Sequence, residues 1–212
     1  MRIARNKSEA LLSTKYKINN DTIIELIEMH NEIREIYNNT SQKIIVQNII
    51  FTKSARLLDG VYVLIKENLG QESGALLRPA IEGIELLDYI KMYPEAFEQL
   101  EQGKLPSAGE RARKIDGKFK PLRDYLNKDA SHFNISYTSM INLMTKENTI
   151  IYDDDINEEV LLENIKMITL FWQFLVYQGL MIDDETMSHY TSIIKKFELL
   201  RARIGNIYNI NI

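Results

Sequence analysis

Four residues of one short stretch, Arg78, Glu82, Glu85 and Tyr89, carry the side chains best suited to chemistry, with His132, Phe133 and Asn134 downstream of them. A helix advances about 100° per residue, so the four fall in one narrow sector of a helical wheel. Arg78 and Glu82 stand one turn apart and are spaced to pair. A planar guanidinium grips phosphate or carboxylate in two places at once. An imidazole, with a reference pKa near ~6.5, exchanges protons close to working pH. These types point to a phosphate-directed site. His132 would act as acid or base, Arg78 would steady charge on phosphate, and Glu82 would complete the catalytic set. Ligand contacts are expected from Glu85, Tyr89 and Asn134, and from Arg111, Lys118 and Arg123 on a basic segment. That segment, residues 107–130, holds seven basic and four acidic residues.

The same residues have a plain structural reading. An i,i+4 Arg–Glu pair also just satisfies two charges near a core, and interspersed acids mark an ordinary solvated helix face. Stronger signatures are missing: no glycine-rich phosphate loop, no nucleophile elbow, no His-Glu-x-x-His. His30, His132 and His189 lack metal-ligand spacing, so neither a metal nor a cofactor is expected.

The elements that must position these groups read as helices. Residues 76–90 are apolar almost all the way round, with Arg78, Glu82, Glu85 and Tyr89 as the single polar stripe. Such a helix is expected at the centre of a bundle. Pro79 should kink it or open a fresh helix. Before it, a short helix is expected around Ser8–Ser13, one capped by Asp21, and one from Ser41 to about Asn68 that Gly70 ends. The β-branched run 44–51 makes a strand the competing reading there. Ser107 and Glu110 fit a capping box, opening a helix weakened at Gly117 and Pro121. Asn157 should cap a long apolar helix stopped by Gly179, and Asp183 should open a last one to about Arg203. His30 and the Phe171–Phe174 cluster read as core, the latter also as a dimer interface.

With 212 residues and a net charge of −4, the chain suits one domain and argues against a dedicated duplex-DNA binder. Absent cysteine excludes disulfides and thiolate sites and fits a reducing, cytoplasmic setting. No uncharged apolar run of about 20 residues suggests a membrane span. The expected organisation is a basic lead-in over 1–20, a helical domain over 21–205 and a tail over 206–212.

Leu76-Leu77-Arg78-Pro79-Ala80-Ile81-Glu82, followed by Ser131-His132, resembles a group of uncharacterised bacterial helical proteins with a Leu-Leu-Arg-x-x-x-Glu helix. That likeness covers roughly residues 45–135; more distantly, the sequence resembles the HEPN superfamily of helical bundles, which includes toxin and abortive-infection ribonucleases and non-catalytic binding modules. That resemblance implies an all-α bundle of about six or seven helices, homodimeric, acting in phage defence or as a toxin–antitoxin component. It would bind RNA or a nucleotide and cleave RNA without a metal. HEPN ribonucleases carry Arg followed four to six residues later by His; here the nearest pair, Arg123 and His132, has eight residues between. The alternative is a protein-interaction or oligomerisation module in which the polar motif is structural.

Overall fold

The computed structural model describes residues 3–38, 40–126 and 156–210. Among these residues the chain is all helical. In order the helices are α1 (Ile3–Ser13), α2 (Lys17–Ile36), α3 (Gln42–Lys66), α4 (Gly70–Met92), α5 (Ala96–Glu101), α6 (Ala108–Lys114), α7 (Lys120–Tyr125), α8 (Glu158–Leu180), α9 (Asp184–Ser188) and α10 (Thr191–Tyr208).

The long helices pack because their apolar residues recur at three- and four-residue steps. Ile23, Leu26, Met29 and Ile33 of α2 are fully buried, as are Phe51, Leu58 and Val61 of α3 and Leu77, Ala80 and Ile81 of α4. These faces meet Ile165, Ile168, Trp172, Leu175 and Val176 of α8, none of which is exposed. Helices α3 and α4 form the most extensive pair; α8 touches α2, α3, α4 and α10. α4 is packed by α3, α5, α6 and α8, which fits a helix with one polar stripe. By length and composition α8 could cross a membrane, but half of its most apolar window is buried inside the bundle.

The described residues hold ten helices, more than the six or seven expected; two of the expected helices are each broken in two. The segment after Ser107 breaks between Lys114 and Lys120, where Asp116 adopts a left-handed φ of 53°. Gly117 and Pro121 are the weak points there. The C-terminal segment breaks between Ser188 and Thr191. The run 44–51 is helical within α3, where Phe51 enters the core, so burial on one face outweighs β-propensity.

Two glycines play different parts from those expected. Gly70 begins α4 rather than ending α3; the chain turns at Asn68, with φ of 60°. Pro79 lies inside α4 and opens no new helix. Gly179 lies inside α8, where a Cβ would come within 2.5 Å of the Phe51 ring. It allows close packing instead of stopping the helix. Asp21 is not a cap either: α2 starts one turn earlier, and Asp21 pairs with Lys17 inside it. The capping box at Ser107–Glu110 and the caps at Asn157 and Asp183 form as expected.

Part of the tail belongs to the bundle. α10 runs to Tyr208, whose hydroxyl accepts from Asn19 Nδ2 at 3.1 Å and lies 3.2 Å from Thr169 Oγ1. α1 is longer than the expected Ser8–Ser13 segment and buries Ala4, Ser8 and Leu12.

Candidate functional site

The polar stripe of α4 faces the basic segment made by α6 and α7. Arg78 lies at the solvent end, its side chain 44% exposed, with Nε donating to Glu82 at 3.2 Å. That bond leaves the two terminal nitrogens of Arg78 without a partner among the described residues. One turn further in, Glu85 is buried, its side chain 3% exposed, with Arg123 of α7 at 3.4 Å. This is ion-pair contact without a hydrogen bond, and neither Glu85 oxygen finds a hydrogen-bond partner among the described residues. Burial pushes the Glu85 carboxyl up; Arg123 and then Arg111 pull it down, while Glu82 and Asp88 push it up. Arg111 turns inward from α6, donating from Nη1 to the Pro106 carbonyl at 2.6 Å.

Tyr89, the inner end of the stripe, is completely buried. Its ring stacks on Tyr93 at 4.7 Å between centroids, and Lys114 Nζ lies 5.8 and 5.7 Å from the two rings. Tyr93 donates its hydroxyl to the Lys114 carbonyl at 3.1 Å. α6 is therefore held to α4 by a cation over two aromatic faces as well as by charge. Of the arginines expected to meet a ligand, Arg123 pairs with a buried carboxylate of its own chain and Arg111 donates to the Pro106 carbonyl.

Lys118 has a different place. It stands at a cleft of about 250 Å³ between α4, the α6–α7 connection and α8. Phe119, Phe174 and Tyr177 supply aromatic walls, Lys91 and Lys118 the positive charge, and Asp88 with Gln178 the polar end. Phe119 packs edge-on to Phe174 with centroids 5.2 Å apart. Gln178 is buried, 7% exposed, and donates from Nε2 to Asp88 Oδ1 at 2.7 Å. Among the described residues Lys91 has only a loose contact, 4.0 Å to the exposed Asp184.

Arg78, Glu82 and Glu85 share one face of α4, and Arg123 lies against Glu85. His132 and Asn134 lie outside the described residues. Asp88, Lys91, Phe174, Tyr177 and Gln178 were missed. The available signal was Gln178, a polar residue within the apolar run of α8. Among the described residues no group of His, Asp and Glu has the makings of a metal site. Comparison with protein-family models, curated proteins and solved structures gives no match.

Proposed function

We propose that this chain is a HEPN-like helical protein of the defence or toxin type that binds RNA or another phosphate-containing ligand. The observation that carries the reading is the pair of lysines, Lys91 and Lys118, beside an aromatic-walled cleft. Lysine is a compact, strongly hydrated cation suited to phosphate, and aromatic faces stack on bases without regard to sequence. Arg78 adds a half-exposed guanidinium on the same helix as Asp88 and Lys91. At 1.5 Å per residue, it lies roughly 15 Å along α4 from Asp88. That spacing suits a polynucleotide backbone better than a single phosphate.

The test is binding of a fluorescent single-stranded RNA, followed by polarisation over a salt series. The Lys91→Ala/Lys118→Ala variant should bind on the order of tenfold more weakly, with the salt slope reduced by about 2. Its melting temperature should stay unchanged, since the exposed Lys91–Asp184 contact contributes little. No binding by the wild type, or equal binding by the variant, would remove the reading.

Cleavage is the further step of the same proposal, with His132 as acid or base and Arg78 on the phosphate. A mixed RNA pool cut by the wild type and left intact by His132→Ala would establish it. An uncut pool would leave a binding module in its place.

The second reading is a protein-interaction or homodimerisation module in which the polar motif is structural. It draws support from the buried Glu85–Arg123 pair, which braces α7 on α4 with no ligand required.

A further inference from the structure

The polar end of the cleft is an acceptor surface. The Asp88 carboxylate only accepts hydrogen bonds, and Oδ1 already takes one from Gln178 Nε2. Asp88 Oδ2 and Gln178 Oε1 have no partner among the described residues and remain as acceptors. A group seated against them must therefore present N–H or O–H donors. The walls, Phe119, Phe174 and Tyr177, ask for a flat ring, and Lys91 with Lys118 ask for a negative charge on the same molecule. At about 250 Å³ the cleft falls just below the usual range for whole small-molecule ligands, so it suits one ring system with its charged group at the mouth.

The nucleobases differ in what they show to such an end. Guanine presents two adjacent donors, N1–H and the N2 amino group, and a carboxylate accepts both in a fork. Adenine and cytosine set one amino donor beside a ring acceptor, which would oppose the oxygens of Asp88. Uracil sets its single N–H between two carbonyls. We infer that the cleft between α4 and α8 is a guanine-reading subsite, in which Asp88 accepts from the Watson–Crick edge of a guanine nucleotide while Lys91 and Lys118 hold its phosphate. Gln178 positions the carboxylate by donating to Oδ1. This inference rests on the phosphate-ligand reading above and names the base that reading leaves open.

The test is calorimetric titration of the full chain with GMP, AMP, CMP, UMP and ribose 5-phosphate. GMP should bind at least about tenfold more tightly than the other four, each carboxylate–guanine fork discriminating by about that much or more. Asp88→Asn should bring GMP down to the level of AMP, because the amide cannot accept both guanine donors. Circular dichroism melts would verify that the variant is folded. Equal binding of all four nucleotides and ribose 5-phosphate would overturn the guanine subsite and leave the phosphate reading standing. A GMP preference that survives in Asp88→Asn would overturn the role of Asp88. Binding of none of the five would overturn the subsite, and RNA binding by the same preparation would then show whether the wider reading falls with it.

Discussion

Replacing Arg123 by methionine should lower the stability of the fold by about 3–5 kcal/mol, the usual cost of removing one partner from a buried ion pair. Glu85 is 3% exposed in its side chain and Arg123 only 12%, so the carboxylate left behind cannot turn to water without opening the α4–α7 contact. Methionine keeps the packing of the stem, which separates loss of charge from loss of volume. The pH dependence identifies the cause. Burial already holds the Glu85 carboxyl above its ordinary value, and Arg123 is the first of the groups pulling it back. A carboxyl whose folded pKa is above its unfolded value binds its proton more tightly when folded. Its ionisation therefore costs stability as pH rises through that range. Arg123→Met pushes the carboxyl further up, so the deficit should be largest near neutrality and shrink on acidification. Adding Glu85→Gln should restore most of the loss, because an amide carries no buried charge. Urea titrations at pH 5 and pH 7.5 compare the wild type with both variants. A single variant as stable as wild type would show that the pair contributes nothing to holding α7, and a deficit independent of pH would trace the loss to packing instead of charge.

Acidification from pH 6.5 to about pH 4 should remove about 3 kcal/mol of stability through His30 alone. His30 is 4% exposed, with its ring 4.4 Å from Phe51 and edge-on to Trp172 at 5.8 Å. Burial pushes the imidazole down to about 4, Arg34 one turn away lowers it as well, and Asn31 opposes them through a hydrogen bond. The folded protein thus holds His30 neutral, while the unfolded chain takes up a proton near the ordinary pKa of about 6.5. Below that value the unfolded state gains protons that the folded state refuses, so stability falls with pH, and the loss levels off only below the folded value of about 4. His30→Leu removes the titrating group and keeps an apolar side chain against Phe51. The difference between wild type and this variant, followed by urea midpoints at half-unit pH steps, isolates His30 from the carboxylates titrating in the same range. Parallel curves would eliminate His30 as the origin of the acid sensitivity.

Much of this was already present in the order of residues. The apolar spacing along 23–33, 51–65, 77–90 and 161–176 specifies helices with buried faces, because a period of 3.6 leaves no other way to hide those side chains. The capping residues Ser107, Asn157 and Asp183 were legible for a local reason: a side-chain oxygen meets an N–H two or three residues on, and nothing distant is needed. The α4 stripe, with Arg78 against Glu82 and Glu85 one turn deeper, follows from helical geometry alone.

What tertiary structure decided was the partner of each polar group. Gly70 and Gly179 read as helix ends in one dimension. Gly179 lies instead within α8, where the Phe51 ring occupies the space a Cβ would need. Arg111 and Arg123 read as a basic surface, yet Arg123 turns inward to a carboxylate on another helix, and ionic contact across 38 residues of chain has no local signature. The cleft was illegible for the same reason. Its walls come from α4, the stretch before α7, and α8, and only packing brings Asp88 within 2.7 Å of Gln178, 90 residues away.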